Sequence, residues 1–267
     1  MGDDTAPEGF GARGKLWETD GAMNTEASQL PASGPRVDPT PPAAVLWDFD
    51  GTLVDSEPIW MRVEFQLVGE WGGTWSDELA YQMVGNDLRE TSRHLIEASG
   101  RPDLTIDEVT AELVGRVAQE LRTGPMLELR PGVAALLDEL AEVDVPCALV
   151  SASYREVLDA VLTRLPANPF RLVVAGDDVT HGKPHPEPYL AACARLGVRP
   201  EECVVLEDSI TGAASGNAAG AVVGVIRNHV EVEPAPRRFL LDTLAGVGVA
   251  ELGAQLLRWN QPGEQNR

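Results

Sequence analysis

Lysine is almost missing from this chain. Of its 267 residues 21 are lysine or arginine, yet the only lysines are Lys15 and Lys183, so an ammonium stands where a guanidinium is the rule. Long apolar runs are missing too: nothing approaches about eighteen uninterrupted apolar residues, which excludes a membrane-spanning helix as the sequence reads. Cysteine is scarce. Cys147, Cys193 and Cys203 show no C-x-x-C spacing and lie in apolar runs, so they read as buried thiols of a reducing, cytoplasmic compartment. The four histidines show no ligand spacing with one another. Positive charge is short, with 42 acidic residues, a formal net charge of -21 and a pI of about 4.5. Duplex nucleic acid and anionic membranes are therefore excluded as nonspecific partners.

A hydrophobic content of 43% over this length is enough for one sizeable core and a smaller satellite domain. Residues 1–41 are of another kind, mixing Gly, Pro, Ser, Asp and Thr without apolar periodicity, and read as a disordered leader. They lack the basic end and apolar stretch of a signal peptide and are too acidic for a transit peptide; Met23 could serve as an alternative start. Residues 261–267 read as a loose tail.

What is present is concentrated at Asp48-Phe49-Asp50-Gly51-Thr52, directly after the apolar run Ala43 to Trp47. Side chains alternate along a strand, so Asp48 and Asp50 face one site where a buried strand ends, and Gly51 lets the backbone turn away. Two carboxylates one residue apart are costly to ionise together. The pair either splits its pKa values or recruits a divalent cation, and both outcomes suit phosphoryl transfer. One carboxylate attacks phosphorus; the other delivers a proton to the leaving oxygen.

Further polar residues follow further apolar runs. Cys147 to Val150 leads into Ser151, a hydroxyl placed at a strand end and read as the start of the helix carrying Val157, Leu158, Val161 and Leu162, where hydroxyl and amides can hold a phosphate oxygen. Lys183 lies in His181-Gly182-Lys183-Pro184-His185-Pro186-Glu187, and a compact ammonium there approaches phosphate as a point charge. Cys203 to Leu206 ends in Glu207-Asp208-Ser209, a second acidic pair that supplies hard oxygen ligands for Mg²⁺, with Asp208 or Ser209 capping the next helix. Gly212, Gly216 and Gly220 along that helix read as close packing and a helix stop.

These four motifs, in this order, resemble the haloacid dehalogenase superfamily, in its phosphatase and phosphomutase branch related to β-phosphoglucomutase, over about residues 43–245. The resemblance implies that Asp48 is the nucleophile that becomes phospho-aspartate and Asp50 the general acid and base. Ser151 and Lys183 would bind phosphoryl oxygens. Asp48, Asp208 and the Asp50 carbonyl would hold Mg²⁺, with Glu207 close behind. Dehalogenases of this pattern lack the second aspartate, so Asp50 points to phosphate chemistry. The departures, Ser215-Gly216 for two alanines and Ala221 for methionine, touch helix packing.

The expected fold is α/β: a doubly wound, Rossmann-like core of five parallel strands near 43–49, 146–150, 171–175, 203–206 and 221–226, formed by residues 42–57 and 126–260. Residues 58–125 are expected to form a helical cap that moves as a lid. Thr105-Ile106-Asp107-Glu108 is a capping box, and Val109, Leu113, Val117 and Leu121 recur on one helix face. Substrate choice belongs to the cap, where Trp60, Arg62, Glu64, Trp71, Trp75, Asn86, Arg89 and His94 are candidates and Asn86 and Arg89 the best of them. The expected activity is a Mg²⁺-dependent phosphatase acting on a small phosphorylated metabolite such as a sugar phosphate. The alternatives are a sugar phosphomutase, whose resembled members carry a histidine where this chain has Trp60, and a catalytically silent phosphoester-binding module.

Overall fold

In the computed structural model, residues 40–165 and 167–261 are described; the expected leader up to residue 39 and the tail from 262 lie outside them. Five short strands, β1 (Ala44–Trp47), β2 (Cys147–Val150), β3 (Leu172–Val174), β4 (Cys203–Glu207) and β5 (Val222–Ile226), pair in parallel. All but β3 are buried along their whole length, as apolar runs without alternation require when both sheet faces are covered. The sheet has a sixth strand, β6 (Arg238–Leu241), that the apolar runs did not reveal. It is an edge strand in which only Phe239 is buried, and its apolar run Phe239-Leu240-Leu241 is short and follows two arginines.

The strand order is β3-β2-β1-β4-β5-β6. The chain leaves β1 toward β2 and β3 on one side, then returns to β4 on the other, which opens a crevice at the carboxyl end of β1. Trp47 is level with both Leu149 and Leu206, so β1, β2 and β4 end abreast. Alternate residues feed two cores. Val45, Trp47, Leu149 and Leu206 face one, completed by α5 (Val133–Glu142), α6 (Arg155–Leu162) and α9 (Val249–Asn260). Leu46, Val150 and Val205 face the other, closed by α7 (Glu187–Leu196) and α8 (Ile210–Ala219).

Between β1 and α5 run four helices, α1 (Glu57–Glu70), α2 (Asp77–Met83), α3 (Leu88–Ser99) and α4 (Ile106–Thr123). The capping box at the start of α4 forms in both directions: Glu108 N donates to Thr105 Oγ1 at 3.3 Å, and Thr105 N donates to Glu108 Oε2 at 3.0 Å. Val109, Leu113, Val117 and Leu121 are buried together, and each such side chain contributes about 1.5–3 kcal/mol. Inside this unit the Ser92 and Thr110 hydroxyls pair at 2.7 Å, joining α3 to α4. Thr211 Oγ1 on α8 donates to Gly85 O at 2.7 Å, tying the turn between α2 and α3 to the core. No described helix is long and apolar enough to cross a membrane.

Candidate active site

The strand period of β1 continues into its loop: Phe49 turns into the core, while Asp48 and Asp50 turn to the crevice. Gly51, at φ +84°, allows this sharp exit, and a Cβ there would stand 1.9 Å from Asp208 Oδ2. No other residue fits that approach without displacing Asp208. Arg130 braces the turn by donating to Gly51 O and, at 3.0 Å, to Arg227 O.

Lys183 is the hub. Its buried Nζ donates to Asp48 Oδ1 at 2.6 Å, Glu207 Oε1 at 2.6 Å and Val150 O at 2.9 Å, using all three of its protons. Burial works against the charged form, but the Asp48 and Glu207 carboxylates outweigh it and hold the ammonium above its ordinary pKa. Glu207 is saturated. Its Oε1 also accepts from Tyr189 OH at 2.8 Å, and its Oε2 from Asp208 N, Ser209 N and Ser209 Oγ at 3.1, 3.3 and 3.0 Å. Gly212 makes room for this carboxylate, since a Cβ there would fall 1.8 Å from Oε1. Ser209 also caps α8 through Gly212 N at 3.0 Å. Ser215, one of the departures from the family pattern, donates to His185 O at 2.6 Å and so anchors the loop that carries Lys183.

Asp48, Glu207 and Asp208 each offer an oxygen within 4.8 Å of the others. Burial first, then the charge of Glu207, raises the Asp208 carboxyl to about 7 against a hydrogen bond from Asn228 Nδ2 at 2.8 Å. Asp48 is raised well above the carboxylate range by burial and by Glu207, against the pull of Lys183. Crowded carboxyls with one ammonium among them take up protons or a hard divalent cation, and an all-oxygen set suits Mg²⁺. Because Glu207 is fully engaged, the oxygens left for a cation belong to Asp48 and Asp208.

Asp50 is gripped from both sides. Its Oδ1 accepts from Ser56 Oγ and, at 3.0 Å, from Trp60 Nε1; its Oδ2 accepts from Ser153 Oγ at 2.6 Å and Ser151 Oγ at 3.3 Å. Ser151 does not start the following helix: α6 begins at Arg155 behind Tyr154, and the Ser151 hydroxyl instead accepts from Ser153 N at 2.9 Å. Sequence reasoning missed Ser56, Ser153, Tyr189 and Asn228 as partners. Ser151-Ala152-Ser153 repeats the alternation of Asp48 and Asp50, and Asn228 follows an apolar strand as they do; Ser56 and Tyr189 carried no comparable signal.

The other wall of the cavity comes from the cap. Trp60, Glu57, Glu64 and Asn86 line it, and Asn86 Nδ2 donates to Gln82 O at 2.8 Å. Burial raises Glu64 to about 7, opposed by a hydrogen bond from Trp75 Nε1 at 3.1 Å. Burial, then the charges of Asp50 and Asp208, raises Glu57 to about 8. Arg89 is not in the cavity: Asp87 caps α3 through Arg89 N at 2.8 Å, and the half-exposed guanidinium pairs with Asp107 outside it. Arg62 pairs with Glu120, Trp71 packs on the apolar core, and His94 sits near Glu90 and Glu97 on α3. His181 and His185, expected to have no ligand spacing, do converge with Glu187 within 4.8 Å on the surface, because the loop around Pro184 folds back on the start of α7.

Residues 45–226 match the model of the haloacid dehalogenase-like hydrolases. The chain belongs to that family and is a phosphoric monoester hydrolase. It is similar to a phosphorylated carbohydrates phosphatase of Thermotoga maritima, 32% identical over 191 residues covering 69% of this chain and 86% of that one. Hexitol phosphatase B of Escherichia coli is 30% identical over 233 residues, 79% of this chain and 95% of that protein. The crystal structure of β-phosphoglucomutase from Clostridium difficile shares the fold at a TM-score of 0.72 and 18% identity, covering 81% of this chain and 98% of the other.

Proposed function

We propose that the protein is a Mg²⁺-dependent phosphatase of small sugar or polyol phosphates, working through a phospho-aspartate on Asp48. The observation that carries this reading is Lys183, which holds Asp48 Oδ1 at 2.6 Å and leaves Oδ2 of this cavity-lining residue without a hydrogen-bond partner among the described residues. That oxygen attacks phosphorus; Lys183 and Ser151 receive the phosphoryl oxygens. Asp50, fixed by its donors, protonates the leaving oxygen and then takes a proton from the water that attacks the phospho-aspartate. Asp48, Asp208 and the Asp50 carbonyl would hold Mg²⁺, which would supply positive charge to offset that of the phosphoryl group. Glu207 positions Lys183 and the backbone of Asp208. Both relatives named above are phosphatases of carbohydrate or hexitol phosphates, which supports the substrate class.

Helices α1 to α4 act as a lid. The cavity beneath them measures about 60 Å³, room for a few waters and too little for a sugar phosphate, so the lid parts to admit substrate. Trp60 favours hydrolysis over the mutase reaction. An indole N–H only donates, so at 3.0 Å from Asp50 it fixes that carboxylate and relays no proton. The deciding experiment incubates purified protein with Mg²⁺ and a panel of phosphate esters. Phosphate release that stops in EDTA and returns with Mg²⁺ is expected, with Ca²⁺ inhibitory. Full activity in chelator, or isomerisation of β-glucose 1-phosphate outpacing phosphate release, sinks the reading.

A further inference from the structure

The cap wall of the cavity holds two carboxyl groups that the proposed chemistry does not use. Glu57 and Glu64 lie two turns apart on one face of α1, with 8% and 4% of their surfaces exposed, and both line the cavity. Among the described residues neither oxygen of Glu57 has a hydrogen-bond or ion-pair partner, and Glu64 uses only Oε2, toward Trp75. A carboxyl nine-tenths buried and unpartnered is expensive to maintain, because its desolvation is not offset by any bond within the protein. Its partner is then expected to arrive with the substrate.

The charge of the lining limits what that partner is. Asp48, Asp50, Glu57, Glu64 and Asp208 all line the cavity, against Lys183 as the single basic residue of the lining, and its three protons are already used. A second phosphate or a carboxylate on the leaving group meets no cation on the cap side. Hydroxyls suit the site, since each both donates and accepts. Burial raises Glu64 to about 7, which brings its protonated form, a donor as well as an acceptor, within reach near neutrality.

We propose that Glu57 and Glu64 form a hydroxyl-reading subsite that selects leaving groups that are neutral and polyhydroxylated, and that the enzyme discriminates against esters carrying a second anionic group. The proposal rests on the phosphatase reading of the same cavity and adds the class of leaving group to it.

Steady-state kinetics with Mg²⁺ on mannitol 1-phosphate, glucosamine 6-phosphate, fructose 1,6-bisphosphate, phosphoglycolate and p-nitrophenyl phosphate test it. The kcat/KM for mannitol 1-phosphate is expected to exceed those for the bisphosphate and phosphoglycolate by about tenfold or more. Glu64→Leu lowers the ratio of kcat/KM for mannitol 1-phosphate to that for p-nitrophenyl phosphate by about tenfold, whereas Glu64→Gln, which keeps donor, acceptor and the Trp75 bond, stays within about threefold of the parent. Glu57→Gln and Glu57→Leu are expected to differ in the same sense, so the test survives if one leucine variant does not fold. Preference for the bisphosphate or phosphoglycolate overturns the proposal. So does equal loss in the glutamine and leucine variants with preference for glucosamine 6-phosphate, which would assign an ammonium partner, or an unchanged ratio in all variants. If no ester is hydrolysed, the phosphatase reading falls on its own. Calorimetric titration of the unmodified protein then decides: mannitol 1-phosphate binding about tenfold tighter than inorganic phosphate upholds the subsite, and equal binding overturns it.

Discussion

The two walls of the candidate catalytic cavity are built on opposite plans. On the sheet side each acidic side chain has a donor: Asp48 has Lys183, Asp208 has Asn228, Asp50 has three hydroxyls and an indole, and Glu207 is saturated. On the cap side Glu57 has none and Glu64 has one. The strand-end wall is preorganised, so its groups need little rearrangement when charge moves at phosphorus. The cap wall keeps unspent bonding capacity, which a leaving group could take up.

The contrast breaks most completely at Asp48. Asparagine is nearly isosteric and can still face Lys183, but it is a poor nucleophile, so Asp48→Asn should lower phosphate release by about a thousandfold or more with the circular dichroism spectrum unchanged. More than about a tenth of parental activity would remove the covalent route. Asp50→Asn comes next, with an effect that depends on the ester. Loss of about a hundredfold or more is expected for alkyl phosphates and much less for p-nitrophenyl phosphate, whose leaving group needs little protonation. Equal losses on the two esters would deny Asp50 the proton-transfer role.

Glu64 probes the cap wall through stability. An ordinary glutamate titrates near 4.5 and Glu64 in the folded protein at about 7. Between those values the folded state holds a proton that the unfolded chain has released. Stability is therefore fully present below about pH 4.5 and falls as pH rises through about 7. Glu64→Gln removes that dependence, and its unfolding free energy relative to the parent should rise by on the order of 3 kcal/mol between pH 4.5 and 8. Urea unfolding at the two pH values checks this, and a constant difference would mean the carboxyl is not desolvated. The smallest effect belongs to Arg89, whose guanidinium pairs with Asp107 outside the cavity. Arg89→Ala should change the preference among esters by less than about twofold, and a larger shift would bring that residue back into the substrate site.

Much of the sheet side was legible along the chain because strand geometry is local. An apolar run followed by a polar residue marks a strand end, and in a parallel sheet the strand ends meet at one edge, so Asp48, Asp50, Ser151 and Asp208 converge as their positions imply. The capping box of α4 and its buried stripe were legible for the same reason, being written within a few turns of one helix. The edge strand β6 was not, because an edge position does not demand a continuous apolar run.

The sequence by itself determined the layered α/β core, the acidic loop after β1 and the helical insertion, since each follows from periodicity and from residue types at fixed spacing. Only the tertiary structure decided who partners whom. Lys183 reaches across 135 positions to Asp48, and Trp60 on the cap meets Asp50 in the core. The outward turn of Arg89 and the inward turn of Glu57 and Glu64 follow from which face of each helix packs against the sheet edge. Such pairings are properties of docking between elements far apart in the chain, where local propensity carries no information about which side chains will share a desolvated space.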